Sequence, residues 1–273
     1  MKIAGTICLF IIIALAPADM WAALSGHDTI RRQAQKAYKD GNWKDAYQQF
    51  RRLCLEAEND PKMVGRDLMQ AWQCLRNLNR VNELDKFREE VIDRLSDNWR
   101  LLNAAARSYS QNNHWGYMVA GEFHRGSHRG GGRYVSALLR DRVRALQLMN
   151  RALNLSAGDA LKAEVANFHL EFARIFLQYG GHYQSWRLQY LTDLSRLPDY
   201  EPGHGSGYGS GTRGAPVDET GNPVFHKIPD TFQSAASDGE RWRWLLANAA
   251  KLKPDLQTHV SHTLATFLHA QFG

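Results

Sequence analysis

The chain has 273 residues, which is room for one large domain or two small ones. Its 34 Lys and Arg against 28 Asp and Glu leave a formal charge of +6, and 44% hydrophobic residues exclude a disordered chain without a core. Three cysteines exclude a disulfide-dense mini-domain and a four-thiolate zinc site.

The N-terminus reads as an export leader. Lys2 is followed by an apolar run from Ile7 to Ala16, too short to span a bilayer, which takes about 20 residues. Ala16 and Ala18 form a small-x-small cleavage pattern, so residues 1–18 are expected to be a signal peptide cut after Ala18, with Ala22 as the next choice. The mature chain is then expected in the periplasm or outside the cell, with no later membrane span.

Residues 26–198 carry helical periodicity almost throughout. Gly41 suits a turn between two helices. Trp43, Ala46 and Phe50 follow it, with Ala46 small enough for a neighbouring helix to approach and Phe50 one turn later on the same face. This spacing matches the second half of a tetratricopeptide unit; the first half fits poorly. Further copies of the turn are read at Asn79-Arg80-Val81, at Asn112-Asn113-His114-Trp115 and at Gly180-Gly181-His182-Tyr183, the last followed by Trp186 and Tyr190. The expected fold is all-α: a solenoid of tetratricopeptide-like helical hairpins.

One interruption is evident. Residues 123–133, Phe-His-Arg-Gly-Ser-His-Arg-Gly-Gly-Gly-Arg, cannot be helical, because glycine costs about 1 kcal/mol per helical position, and they are expected to form a loop. Helix resumes from about Val135 to Leu155 and again from Ala160 to Gln178, and another helix is expected from Tyr183. Residues 199–236 are rich in glycine and proline and read as a long loop, with a tight turn in Val217–Val224. Residues 237–273 read as a C-terminal helix pair opened by Ser237. The absence of a polar capping repeat at Gly273 suggests a cut inside a longer architecture.

Arg125, Arg129 and Arg133, with Arg140, Arg142 and Arg144 behind them, form the densest cationic stretch. A docking or anion-binding loop is one reading; pairing of these arginines with carboxylates of adjacent helices is the favoured one. The P-loop pattern fails, and the leader argues against a nucleic-acid partner. His124 and His128, or His259 and His262, lack the further ligands a metal site requires, so no metal or cofactor is expected. No nucleophile motif emerges, and no enzyme activity is expected. Cys54 and Cys74 sit on neighbouring predicted helices: a disulfide is one outcome, two buried thiols the slightly favoured other. Trp242 reads as core, facing the same way as Leu245 or Leu246.

Several stretches together resemble one family: the Gly/Arg loop, Arg140–Met149, Tyr183–Leu194, Gly214–Pro223 and Ser237–Trp244. Their succession is similar to the extreme N-terminal helical region of large bacterial alpha-2-macroglobulin-like proteins, over about Asn112 to Lys253. The resemblance implies a secreted or periplasmic endopeptidase inhibitor whose complete form encloses an attacking protease. The Cys-Gly-Glu-Gln thioester of some members does not occur here, so the chain is expected to be a non-catalytic docking or scaffold region of such a protein. The alternative is a free-standing exported repeat module that binds peptides or proteins in its groove.

Overall fold

The computed structural model describes residues 18–56, 60–178, 188–203, 217–222 and 227–272. Five helices come first: α1 (Ala18–Lys39), α2 (Trp43–Leu55), α3 (Val64–Asn77), α4 (Leu84–Arg94) and α5 (Trp99–Ser110). Three strands follow, β1 (Trp115–Val119), β2 (Glu122–Arg125) and β3 (Arg133–Ser136). Then come α6 (Leu138–Ser156), α7 (Lys162–Gln178), the two-residue β4 (Glu201–Pro202), α8 (Asp238–Leu252) and α9 (Gln257–Phe272). The described chain is mostly helical, with one small sheet.

Two of the predicted turns share a geometry. After α1, Gly41 takes φ +79°, its N–H donates to the Tyr38 carbonyl, and Asn42 N–H reaches back to Ala37. After α3, Asn79 takes φ +55°, its N–H donates to Arg76, and Arg80 N–H reaches back to Leu75. Both are the paired six-to-one and five-to-two bonds that close a helix on a left-handed residue, for which glycine and asparagine are suited. Ala46 and Phe50 are fully buried on α2, as their spacing implies, whereas Trp43 at the start of that helix is 37% exposed. Apolar positions of α3, α4 and α5 continue the same core, with Tyr47 packed edge-on against Phe87 at 5.7 Å.

The third expected helical turn is a correction. Trp115 opens β1, not a helix, and the Gly/Arg stretch expected to be a loop contributes β2 and the start of β3. The strands form an antiparallel sheet in the order β2-β1-β3-β4. Tyr117 pairs with His124 on one side and Tyr134 on the other, and Val135 with Pro202. Trp115, Tyr117, Phe123 and Tyr134, with Val119 and Val135, are residue types that favour a pleated surface. Ala120 (φ +50°) and Gly121 (φ +87°) join β1 to β2 in a two-residue turn with both residues in the left-handed region. Alanine is a poor marker for such a turn, which is why it was not legible. The all-α expectation therefore gives way to a mainly helical fold carrying an antiparallel insertion.

Beyond the sheet, α6 buries Leu138, Val143, Leu146, Met149 and Leu153, and α7 buries Val165, Phe168, Phe172, Ile175 and Phe176, as their periodicity predicts. Ser237 caps α8 by accepting from the Glu240 N–H. Trp242, Leu245 and Leu246 are buried core, with Trp242 4.5 Å from the ring of Phe267 on α9. Tyr183 and Trp186 lie outside the described residues. Tyr190, expected in the repeat core, is 66% exposed, a second correction; its carbonyl accepts from the Asp238 N–H.

Cys54 and Cys74 are both buried and both free thiols, so the disulfide reading is not what the structure contains. Burial pushes the Cys74 thiol up to about 11, and that of Cys54 well above its ordinary value. Neither thiol of the folded chain is therefore expected to react with a disulfide reagent over minutes, while both react, without prior reduction, once the chain is unfolded in guanidinium. Failure to release these two thiols in denaturant would show a bond between them.

Gly65 sets the spacing of α3 and α5: a Cβ there would lie 2.9 Å from the Arg100 carbonyl oxygen and 3.0 Å from Ala104 Cβ. Gly65→Val is expected to cost about 2–3 kcal/mol by wedging the two helices apart, read as a lowered urea midpoint.

Candidate functional site

Three stripes of side chains meet in one groove of about 550 Å³. Lys62, Arg66 and Met69 come from α3 and the turn before it, Arg100, Asn103 and Arg107 from α5, and Glu164, Asn167 and Glu171 from α7. Within each stripe the spacing is three or four residues, so each helix presents a single face. Trp99 and Phe168 form an apolar floor, their rings 5.4 Å apart.

The groove charges are unevenly committed. Arg100 stacks 4.2 Å over Trp99 and donates to Glu164 (2.6 and 2.8 Å) and to Asp159 (2.9 Å). Asp159 also accepts from the Leu161 backbone N–H and from Trp99 Nε1; these bonds, with Arg100, hold its carboxyl down at about 2. Arg107 Nε lies 3.3 Å from Glu171, close enough for an ion pair but without hydrogen-bond geometry. The buried Oδ1 of Asn103 has no hydrogen-bond partner among the described residues. Lys62 and Arg66 form no ion pair among the described residues. Two cations are thus left to meet a ligand, on a floor lined by aromatic side chains.

The arginine stretch behaves differently from a docking loop. Arg125 is only 3% exposed at the end of β2. It donates through Nε to Asp85 of α4 (2.9 Å), through Nη1 and Nη2 to Asp141 of α6 (2.7 and 2.9 Å), and to the Asn113 carbonyl (2.5 Å). Asp141 also meets His114 Nδ1 at 2.8 Å. Burial would raise the Asp141 carboxyl, but the charge of Arg125 and the bonds from His114 and Arg125 outweigh it and hold it below the usual carboxylate range. Arg144 pairs with Glu89, Arg142 with Asp238 and Thr192, and Arg140 with the Pro198 carbonyl. Carboxylate pairing therefore holds for Arg125, Arg142 and Arg144, while Arg140 meets a carbonyl. Arg129 and Arg133 are exposed at the sheet margin, apart from the groove residues.

The rings of His124 and His128 stand 5.1 Å apart, and no group of three or more His, Cys, Asp or Glu among the described residues is placed to hold a metal ion. Among the described residues no helix is long and apolar enough to cross a membrane. Compared with known proteins, the chain matches no family model, no curated protein and no solved structure.

None of the groove residues was singled out from sequence. A stripe of Arg, Asn and Arg at 100, 103 and 107 reads as an ordinary solvated helix face. The usable signal was the same polar spacing on three separate helices, with glycine at 65 and alanine at 104 where two of them approach.

The Arg125 cluster has a clear energetic consequence. Removing one partner of a buried ion pair costs about 3–5 kcal/mol, so Arg125→Met is expected to lower stability by that order. Asp141, depressed in the folded state, contributes stability that is complete above its unfolded value near about 4 and is lost as pH falls through the lower folded value. Glu89 acts in the same direction: its burial is outweighed by bonds from Arg144 and Tyr109. The urea midpoint is expected to be level from about pH 7 to 5 and to drop below about pH 4, less steeply in Asp141→Asn.

Proposed function

We propose that the chain is a non-catalytic, exported helical-repeat module, built of tetratricopeptide-like hairpins, that docks a protein partner by holding an extended acidic segment in the groove of α3, α5 and α7. We place it as the leading helical region of a protease-trap protein of the alpha-2-macroglobulin-like kind, acting as a docking or scaffold part. The observation that carries the binding reading is the groove itself: the alternate helices α3, α5 and α7 each offer one stripe, and Lys62 and Arg66 remain uncompensated there while Arg100 and Arg107 face Glu164 and Glu171. Charge complementarity then favours a carboxylate-rich chain, and the Trp99–Phe168 floor favours an apolar residue between its acids. The paired turns after α1 and α3, closing on Gly41 and Asn79, support the repeat reading. Support for the protease-trap context is the segmental resemblance across Asn112 to Lys253, and support for export is the leader pattern before Ala18.

The same groove would serve a free-standing periplasmic or secreted binding module. The reading frame beyond Gly273 separates the two: a run of β-sandwich domains supports the protease-trap context, and a stop codon removes it.

The binding reading is tested by fluorescence anisotropy with labelled decapeptides. A peptide alternating Glu with Leu is expected to bind at low salt, and its Lys-for-Glu counterpart is not. Lys62→Glu with Arg66→Glu, both outside the core, is expected to weaken the acidic peptide roughly tenfold or more at unchanged melting temperature. Equal binding of both peptides, or an unaltered double variant, removes the groove from the function.

A further inference from the structure

A second cavity, of about 500 Å³, opens on the other side of α7, between α7, α8 and the C-terminal end of α6. Its size falls in the range that small organic ligands occupy. Leu153, Val165 and Leu252 provide apolar wall, and the Trp244 indole provides an aromatic one. His169 lines the same space. It is 5% exposed, its ring lies 5.8 Å from that of Trp244, and its buried Nδ1 has no hydrogen-bond partner among the described residues. A buried polar atom left without a partner costs about 1–3 kcal/mol, so its persistence here calls for an explanation.

The charges around the cavity are one-sided. Lys162, at the start of α7, and Lys251, in the last turn of α8, both line it, both are exposed, and neither is ion-paired among the described residues. No carboxylate lines it; its other polar contributors are the amides Asn154, Gln233 and Asn248. Burial holds the His169 imidazole down at about 4, so it is neutral at physiological pH and can give or take one hydrogen bond without adding charge inside.

We infer that this cavity is a binding site for a small hydrophobic carboxylic acid, its apolar body against Trp244, Val165 and Leu252, a polar substituent or carboxyl oxygen meeting His169, and its charge countered by Lys162 and Lys251. The site is separate from the docking groove, since Phe168 faces the groove and its neighbour His169 faces the cavity.

Isothermal titration of the whole chain with naphthalene-2-carboxylate, and in parallel with the neutral naphthalene-2-carboxamide, tests the inference. One saturable site is expected, with the acid held about tenfold or more tighter than the amide. Lys162→Glu with Lys251→Glu changes two exposed positions, so folding is retained; it is expected to abolish the preference for the acid. His169→Phe is expected to weaken the acid about tenfold while the fold gains stability, because an orphaned nitrogen is removed. Asn248→Trp, from a half-buried helical position, is expected to fill the cavity and stop binding. The proposal is overturned if the acid gives no saturable one-to-one binding below millimolar concentration, if acid and amide bind alike, or if the lysine double variant keeps the preference.

Discussion

The fold turns on the solvation of one guanidinium. Arg125 lies where water does not reach, and a charge so placed is tolerated only if its hydrogen bonds are met. They are met by carboxylates from two different helices, Asp85 on α4 and Asp141 on α6, and by the carbonyl of Asn113 between α5 and β1. Satisfying Arg125 therefore sets the position of β2 against both helices at once. The sheet that β2 belongs to has little core of its own, and this cluster seats it on the helices, together with Arg140 of α6 over the Tyr200 ring that stacks on Phe123 at 4.6 Å. The helices it ties down, α4 and α6, flank α5, the central wall of the groove.

The same device recurs along the chain. Arg31 of α1 grips Asp67 of α3 through two nitrogens, both side chains being buried. Arg88 of α4 meets Asp85 and lies over the Tyr109 ring of α5, whose hydroxyl bonds to Glu89. Arg142 of α6 meets Asp238 at the start of α8, where Asp238 also bonds to Thr192. Such pairs contribute little net stability, because desolvation offsets most of the attraction. What they do here is link elements distant in sequence into one register. Apolar helix faces alone, able to slide by a turn at small cost, would specify that register less sharply.

The two proposed binding surfaces use opposite electrostatics from this skeleton. In the skeleton every buried cation meets an anion. In the groove and the cavity, cations are left over: Lys62 and Arg66 in one, Lys162 and Lys251 in the other, all from the ends of helices or the turns beside them. Each surface also holds a buried polar atom without a partner, Asn103 Oδ1 and His169 Nδ1.

By itself the sequence determined the helices and their buried faces. Phe168, Phe172 and Phe176 repeat every four residues and face inward, Ser237 caps the helix that follows it, and Gly41 ends α1, because these signals act within a turn or two of chain. What only the tertiary structure decided was everything that depends on distant partners. The Gly/Arg stretch becomes strands because β1 and β3 supply its backbone bonds, and β4 arrives from some seventy residues later to extend the sheet. Arg125 is buried and Arg129 exposed within the same short run, since only the first meets Asp85 and Asp141. Tyr190 faces solvent and Cys54 and Cys74 remain free thiols, although their spacing allowed otherwise. The groove needed three helices to bring its stripes together, and no local pattern carries that information, because a charged helix face looks the same from sequence whether it meets water or a partner.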